Sequence, residues 1–367
     1  MTSPAPAPLR ARPLRPSDVD AVQELYETVL WHRRRPLEEW RWRFLEAPAG
    51  PSHVLVLEDE RGDVVGHLAS SPFPTWVDGR RLRGVQGGDL MVAERHQGRG
   101  GMRLLFQALE VFHDFDLRLG FTSEMATPRV QRYGSRLLGT LPTWTHRLRP
   151  TRPGLGRARP LVGAGLRAAS FAATRPRTRL LVERLAHLGS EVDRLAAESG
   201  AFARCVRIRD ADYLRWRWLD QPGGHWTIRG ALASDGTLRG LSVLGLDHGD
   251  RGLTGSISDL LAPEPAVLRA LLVDAVQTLA PHGCGVVALP LLDPRPWARS
   301  TLLRAGFLPR DSGDAITCRS LSAAAGEAPE RLESWYLTRG DTEPWPNTPF
   351  PTPINQARRG ASPSAAG

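Results

Sequence analysis

The sequence contains no lysine, and all of its 48 basic residues are arginines. Complete use of arginine is typical of codon bias in a GC-rich genome, and it excludes a P-loop, whose motif requires a lysine. Cysteine is also scarce, with three widely separated residues: Cys205, Cys284 and Cys318. Because no C-x-x-C pair is present, the sequence indicates neither a disulfide framework nor a zinc site, and we expect no metal site.

Long apolar runs are absent as well. The longest, residues 161–173, is interrupted by Arg167 and is too short to span a bilayer, and the first residues lack the apolar core of a signal peptide. We therefore expect a cytoplasmic protein that does not bind membranes. The formal net charge is +9, but the densest arginines, at 147–184, have almost no aromatic residues among them. This pattern argues against nucleic-acid binding, and the sequence leaves the oligomeric state open.

A loop rich in arginine and glycine connects two predicted elements. Apolar residues at 90–93 predict a strand, and the apolar spacing from Met102 to about Phe112 predicts a helix. Glycines allow a ligand to approach the backbone, and the free N–H groups of a first helical turn point toward negative charge. The loop residues that favour an anion, and phosphate oxygens in particular, are Arg95, Gly98, Arg99, Gly100 and Gly101. The sequence therefore predicts a diphosphate site.

The spacing of the arginines and glycines in the loop narrows the choice of ligand. Neither the dinucleotide fingerprint nor the P-loop motif is present, whereas residues 95–100 read R-x-x-G-x-G directly after a strand. This arrangement resembles the pyrophosphate loop of the GNAT superfamily of acyl-CoA-dependent N-acyltransferases. The alternative is a solvated arginine-rich turn.

The chain also repeats itself. Residues 42–50 and 216–224 share the pattern W-R-aromatic-L-acid-x-P-x-G, and they lie 174 residues apart. The same separation relates a G-x-x-x-G at 62–66 to one at 236–240, and Asp89-Leu-Met corresponds to Asp259-Leu-Leu. A period of this length indicates a duplicated domain. In the second copy the arginine and glycines of the loop are replaced by residues 263–267, where Glu264 would repel a phosphate, so we expect only the first copy to bind a diphosphate.

Four longer motifs are present: W-R-F-x-x-x-P-x-G at 42–50, D-L-x-V-x-x-R-x-x-G-x-G at 89–100, Y-L-x-W-R at 213–217 and W-Y-x-T-x-G-D at 335–341. In these motifs the chain resembles bacterial tandem-GNAT acyltransferases. The resemblance implies an α/β (α+β) chain of two tandem GNAT folds, each with a mixed, mainly antiparallel twisted sheet flanked by helices. We expect a disordered lead at 1–8, a GNAT domain with the acyl-CoA loop at 9–150, a basic connecting segment at 151–189, a degenerate GNAT-like domain at 190–342 and a disordered tail at 343–367.

Periodicity and turn residues predict the elements of the first domain. They are a helix at 18–30 capped by Ser17, a second helix at 31–44, strands at 53–59 and 64–70, strands at 76–77 and 81–85 on either side of a turn at Asp78-Gly79, a strand ending at Ala93, a strand at 119–125, a short helix at 128–138 and a strand at 144–148.

The resemblance also implies the ligands and the binding residues. Acetyl-CoA or a longer acyl-CoA would be the donor and an amine the acceptor. A backbone N–H of Met91 or Val92 would polarise the thioester carbonyl. The predicted acyl-CoA-binding residues lie on the strand end, the loop and the first helical turn: Leu90, Met91, Val92, Arg95, Gln97, Gly98, Arg99, Gly100, Gly101, Met102 and Arg103.

Three residues are candidates for proton transfer. Asp89, at the strand end, would be a general base or would orient the amine; alternatively, its carboxylate shapes the strand, as the matching Asp259 suggests. Glu124 is a second carboxylate. We expect it on the strand at 119–125, facing the end of the strand that precedes the loop. Tyr133 is the candidate acid for the leaving thiolate, although it stands one residue before Gly134 where the family pattern has its tyrosine four residues before a glycine. A packed helix tyrosine is the alternative.

Three functions remain open at this stage. The first is an acyl-CoA-dependent N-acyltransferase acting on an amine of a small molecule, a sugar or a secondary metabolite. The second is an aminoacyl-tRNA-dependent transferase, and the third is a non-catalytic CoA-binding or scaffold protein. The retained CoA loop favours the first over the second.

Overall fold

The computed structural model describes residues 8–149 and 179–342, apart from residues 31, 33, 111–113, 250–251 and 311–312. The predicted disordered lead (except Pro8), the predicted disordered tail and most of the predicted connecting segment lie outside the described residues. Within the described part of the chain, no helix is long and apolar enough to cross a membrane. No group of three or more His, Cys, Asp or Glu side chains in that same part could hold a metal ion.

The strands of the first half of the chain are β1 (Arg10–Pro13), β2 (His53–Glu58), β3 (Val64–Val77), β4 (Arg80–Val92), β5 (Leu117–Thr122), β6 (Arg136–Thr140) and β7 (Thr143–Arg147). Those of the second half are β8 (Leu181–Arg184), β9 (Cys205–Arg207), β10 (Thr227–Leu232), β11 (Leu238–Gly249), β12 (Gly252–Leu261), β13 (Val286–Leu292), β14 (Leu308–Arg310), β15 (Ala315–Ser320) and β16 (Trp335–Thr338).

The α-helices are α1 (Val19–Leu25), α2 (Leu37–Leu45), α3 (Gly101–Leu109), α4 (Thr127–Gln131), α5 (Ser190–Glu198), α6 (Ala211–Leu214), α7 (Pro265–Leu279) and α8 (Pro296–Arg304). A π-helical turn, Tyr26–Leu30, continues α1, and another, Arg215–Leu219, continues α6.

The described chain forms two compact units that are discontinuous in sequence. Among the described residues, unit 1 comprises 8–75, 80–139 and 315–331, and unit 2 comprises 76–79, 140–314 and 332–342. Each contains a mixed, mainly antiparallel sheet flanked by helices, so the α/β fold class predicted from the sequence is confirmed.

The strands of unit 1 lie in the order β1-β2-β3-β4-β5-β15-β6. The pairs β1/β2, β2/β3 and β5/β15 are antiparallel, whereas β4 and β5 are parallel. Strands β3 and β4 form a long hairpin that turns at Asp78 and Gly79, both with positive φ, as the predicted Asp-Gly turn requires.

Both faces of the unit 1 sheet are covered. Because side chains alternate along a strand, Val54 and Val56 of β2 join a core with residues of α1 and α2, while Leu55 and Leu57 join a second core with residues of α3. The largest side chains of the first core are Tyr26, Trp40, Phe44 and Met91. Helix α3 follows the loop predicted to bind a diphosphate, residues 95–101, which we call the anion loop. The apolar face of α3 thus holds this helix against the sheet.

Unit 2 is built on the strand order β8-β10-β11-β12-β13, in which β12 and β13 are parallel. Strand β7 pairs with β13 and β14, while β16 pairs with β13 and β9. Helix α7, with its apolar residues buried, packs on this sheet.

Each unit contains a strand from the other half of the sequence. In unit 1, β15 lies between β5 and β6, and in unit 2, β7 lies between β13 and β14. The division into compact units therefore differs from the contiguous segments 9–150 and 190–342 expected from the sequence.

Several predicted elements differ in their bounds. The helix predicted at 128–138 ends at Gln131, because Gly134 adopts a φ of 86° and the chain enters β6. The helix predicted from residue 31 starts after Pro36, since proline is poorly tolerated inside a helix. Asp18 rather than Ser17 is the N-cap of α1, and part of the predicted connecting segment forms β8, which pairs with β10.

Candidate functional site

The predicted strand, loop and helix are all present in unit 1. Strand β4 ends at Val92, a 3-10 turn follows at Glu94–His96, and α3 begins at Gly101. Gly98 and Gly100 adopt φ angles of 76° and 81°, in the left-handed region that glycine tolerates best. The loop conformation therefore depends on glycine at these two positions.

The three loop glycines face different surroundings. A Cβ added to Gly98 or Gly100 would meet nothing within 4 Å, whereas a Cβ on Gly101 would lie 2.4 Å from Cδ2 of Leu57. The backbone of Gly98 and Gly100 thus borders open space, while Gly101 is packed against β2. The N–H groups of Gly101, Met102 and Arg103 occupy the first turn of α3, where helix geometry leaves them without an intrahelical acceptor.

The arginines of the loop lie around a histidine. The Nε of Arg95 is 3.0 Å from Nε2 of His96, and Nη1 of Arg99 is 3.0 Å from its Nδ1. Asp59 lies 3.8 Å from the same ring. Burial lowers the pKa of His96, and the two guanidinium groups lower it further. We infer that a largely neutral imidazole lies between the arginines, and the His96 side chain is buried.

The loop is tied to the end of β4. The side-chain amide of Gln97 donates to the carbonyl oxygen of Val92 over 3.1 Å, and the N–H of Ala93 donates to Val65 on β3 over 2.8 Å. Of the predicted strand-end residues, Met91 and Val92 are buried and Leu90 is half-buried. The strand end and the anion loop are thus one connected structure.

Strands β4 and β5 are paired only along part of their length. Gly84 and Gln86 lie opposite Leu117 and Leu119, and the described parts of the two strands are paired no further. Both strands continue beyond these pairs, so their C-terminal ends are not paired with each other, and that of β4 leads into the anion loop.

Asp89 lies in β4 immediately before this strand end, and its side chain is buried. Its carboxylate accepts a hydrogen bond from the Tyr26 hydroxyl over 2.8 Å and lies 3.3 Å from Nη1 of Arg43 and 3.4 Å from Nη2 of Arg35. The Nδ1 of His67 lies 2.8 Å from the Asp89 carbonyl oxygen. Sequence reasoning missed all four of these neighbours, although Arg43 belongs to the repeated W-R motif.

The electrostatics of this cluster keep Asp89 ionised. Burial alone would raise the pKa of its carboxyl, but Arg43 and Arg35 outweigh burial, so the pKa lies below its ordinary value. Burial lowers the pKa of His67 and raises that of Tyr26. A carboxylate with a lowered pKa and these donors is a weak proton acceptor at neutral pH. The contacts therefore favour the interpretation in which Asp89 shapes the strand.

The other two catalytic candidates lie after β5. Glu124 is exposed, in the turn between β5 and α4 rather than on the strand. Tyr133 follows α4 and is half-buried, with its ring stacked on Phe106 of α3 at 4.3 Å and 12°. Its backbone carbonyl accepts from Arg319. Tyr133 therefore lies against the helix that carries the anion loop, but it is in a turn and not in a helix.

The segment of unit 2 that the sequence repeat aligns with this loop has different chemistry. Glu264 is the N-cap residue of α7 and forms an ion pair with Arg239. Asp259 is buried, with its carboxylate 2.7 Å from Nε of Arg209 and 2.9 Å from the hydroxyl of Thr338. The start of α7 thus holds a carboxylate where α3 holds glycines and arginines.

A comparison with protein families matches the part of the chain that contains the anion loop. A family model described as "Acetyltransferase (GNAT) domain" matches residues 10–128. No curated protein matches the sequence significantly.

Solved structures share the fold. A probable N-acyltransferase of unknown function from Enterococcus faecalis is 10% identical, with a TM-score of 0.62, and the match covers 88% of this chain and 74% of that one. A GCN5-related N-acetyltransferase from Kribbella flavida is 15% identical, with a TM-score of 0.62 and coverage of 89% and 75%. N-myristoyltransferase from Saccharomyces cerevisiae, solved with bound myristoyl-CoA, is 12% identical, with a TM-score of 0.56 and coverage of 87% and 81%. Residues 10–128, which include the anion loop, thus match the model of a GNAT acetyltransferase domain.

Proposed function

We propose that the protein is an acyl-CoA-dependent N-acyltransferase. It would move an acetyl or longer acyl group to an amine of a small molecule, a sugar or a secondary metabolite, by direct transfer in a ternary complex. The observation that carries the proposal is the start of α3, where Gly98 and Gly100 border open space beside two arginines, next to the C-terminal ends of β4 and β5, which are not paired with each other.

The donor would bind along this segment. Its pyrophosphate would accept hydrogen bonds from backbone N–H groups of residues 97–103, with Arg95 and Arg99 turning from His96 toward the phosphate oxygens. The pantetheine amides would pair with the edge of β4 at residues 90–92, as an added strand would. The thioester carbonyl would then accept from the N–H of Met91 or Val92, which stabilises negative charge on that oxygen during transfer.

The reaction requires one proton to leave and one to arrive. The amine nitrogen attacks the thioester carbonyl carbon, the C–S bond breaks, and the thiolate leaves. We assign the amine proton to Glu124, because this carboxylate is exposed beside the C-terminal end of β5 whereas Asp89 is buried among cations. Tyr133 would protonate the thiolate.

We also propose that the chain is a tandem duplication with one donor site. The parallel pairs β4/β5 and β12/β13 take equivalent places in the two sheets, and a buried aspartate, Asp89 or Asp259, precedes the strand end in each. Because Glu264 at the start of α7 would repel a diphosphate, we expect one acyl-CoA per chain.

Two experiments test the proposal. The first is isothermal titration with acetyl-CoA and with free CoA, and the second is an assay of thiol release with a panel of amines. We expect one site per chain and amine-dependent release of free CoA. Two sites would contradict the single donor site. Binding without release with any amine would favour a CoA-binding scaffold, and stabilisation by tRNA but not by CoA would favour the aminoacyl-tRNA-dependent alternative.

A further inference from the structure

Asp89 has an unusual backbone conformation for its position. It lies inside β4 with a φ of 51°, although it is not a glycine, and a side chain makes the left-handed region unfavourable. Two glycines, Gly87 and Gly88, directly precede it, yet neither takes the left-handed conformation. The strand therefore bends at a residue that has a carboxylate, even though conformationally freer residues are adjacent.

The contacts of Asp89 hold this bend from two sides. On the side-chain side, the carboxylate contacts Tyr26 of the π-helical turn, Arg43 of α2 and Arg35 just before α2. On the backbone side, the carbonyl oxygen faces Nδ1 of His67 on β3 at 2.8 Å. Since a carbonyl can only accept, Nδ1 carries the proton and donates it, which fixes the orientation of the peptide that leads into Leu90.

The bend at Asp89 lies directly before the predicted donor site. Leu90, Met91 and Val92 follow Asp89 directly, and Gln97 connects Val92 to the anion loop. A change in the backbone angles at Asp89 would therefore reorient the strand edge on which the thioester would lie.

We propose that Asp89 is a positioning residue, and that its buried carboxylate, with Tyr26, Arg43 and His67, holds the left-handed bend that directs the end of β4 toward acyl-CoA. This inference rests on the proposed function, because it concerns the same donor site. It assigns no proton transfer to Asp89.

The test compares substitutions that separate charge, shape and conformation. Asp89→Asn keeps the shape and tolerates a positive φ, whereas Asp89→Ala lacks the acceptor atoms and disfavours the bend. Tyr26→Phe removes one hydroxyl and leaves the ring. We expect the Kd and KM for acetyl-CoA to rise roughly fivefold for Tyr26→Phe, as for the loss of one hydrogen bond, with a larger rise for Asp89→Asn and the largest for Asp89→Ala.

The pH dependence of kcat distinguishes positioning from base catalysis. If Asp89 only positions the strand, the ascending limb of the profile stays in place in Asp89→Asn and Tyr26→Phe. Loss of that limb in Asp89→Asn would overturn the proposal, as would unchanged Kd and KM in both variants.

Asp259→Asn is the matched control, because it also removes a buried carboxylate beside an arginine but lies in the unit without the glycine loop. It should lower the stability and leave the Kd for acetyl-CoA unchanged; a rise in Kd equal to that of Asp89→Asn would contradict a local role of Asp89. A wild-type chain that binds no acetyl-CoA would instead contradict the proposed function. Tyr26→Phe keeps the positioning role testable if the Asp89 variants do not fold.

Discussion

Gly101 packs against Leu57 so closely that a Cβ at Gly101 would lie 2.4 Å from Cδ2 of that leucine. This contact joins the first residue of α3 to β2, and so fixes the start of the helix relative to the sheet. Gly101 therefore has a packing role that Gly98 and Gly100, which border open space, do not share.

Gly101→Ala should destabilise the protein by about 1–3 kcal/mol, the usual cost of adding a methyl group to a filled core. Urea unfolding of the wild type and the variant measures this. In a chain that already carries Leu57→Ala, Gly101→Ala should lower the stability less, because the leucine side chain that the new methyl group would meet is absent. Unchanged stability of Gly101→Ala would show that α3 is not held by this contact.

Charge at the open glycines should abolish donor binding without unfolding the chain. Gly98→Glu or Gly100→Glu adds a carboxylate where the diphosphate is expected, so titration with acetyl-CoA should give no measurable binding. Gly236→Glu is the control, since Gly236 also has a positive φ, of 84°, and open surroundings, but lies in a turn of unit 2. Binding by the two loop variants at wild-type affinity would contradict the site.

Removing one arginine of the loop should weaken acetyl-CoA binding less than adding a carboxylate at Gly98 or Gly100. Arg95→Ala or Arg99→Ala should weaken acetyl-CoA binding by about 1–3 kcal/mol, as expected for one charge-assisted contact. Because both arginines contact His96 in the structure, each must leave the imidazole on binding. Titration of both variants measures the effect, and unchanged affinity in both would exclude them from the donor site.

Local signals in the sequence predicted the local structure well. The strand before Ala93, the glycine-rich loop and the helix after it follow from apolar periodicity and glycine spacing, and the hairpin at Asp78 and Gly79 follows from the requirement for positive φ. These features depend on neighbouring residues in the chain, which is why one sequence suffices to predict them.

Contacts between distant parts of the chain were not predictable in this way. Strand β15 pairs with β5, and residues 120 and 317 lie opposite each other, but nothing in either segment specifies that partner. The environment of Asp89 was not predictable for the same reason, since Tyr26, Arg35 and His67 come from three separate segments of the chain. Helix periodicity also failed at Tyr133, because Gly134 ends the helix earlier than the apolar pattern indicates.

The position of β15 predicts that residues 1–150 do not fold alone. Without residues 315–320 the sheet of unit 1 loses the strand between β5 and β6 and exposes unpaired edges. Circular dichroism and thermal unfolding should show no cooperative transition for this fragment. The N–H of Leu141 donates to the carbonyl oxygen of Asp314 over 3.1 Å, so a short linker can join residue 141 to residue 314. A fragment extended in this way to residue 331 should regain cooperative unfolding; a cooperative transition in residues 1–150 alone would contradict the prediction.

Stability should fall as the pH decreases from 7.5 to 5.5. Burial lowers the pKa of His67 below its ordinary value of 6.5, so the unfolded chain takes up a proton in this range before the folded chain does. Protonation then favours unfolding, by at most about 1.4 kcal/mol per pH unit for each such histidine. His67→Asn, whose amide can replace Nδ1 as the donor to Asp89, should reduce the slope of stability against pH. An unchanged slope in His67→Asn would contradict the assignment.

Glu124→Gln tests the remaining carboxylate directly. If Glu124 accepts the amine proton, kcat should fall by about 100-fold, the ascending limb of its pH profile should disappear, and the Kd for acetyl-CoA should stay the same. Because Glu124 is exposed in a turn, its replacement should not change the unfolding midpoint, so a loss of activity cannot be attributed to misfolding. Glu46→Gln, at another exposed carboxylate of unit 1, is the control and should retain full activity. A Glu124→Gln enzyme with wild-type kcat and pH profile would exclude this residue as the base, and would leave a water molecule as the proton acceptor.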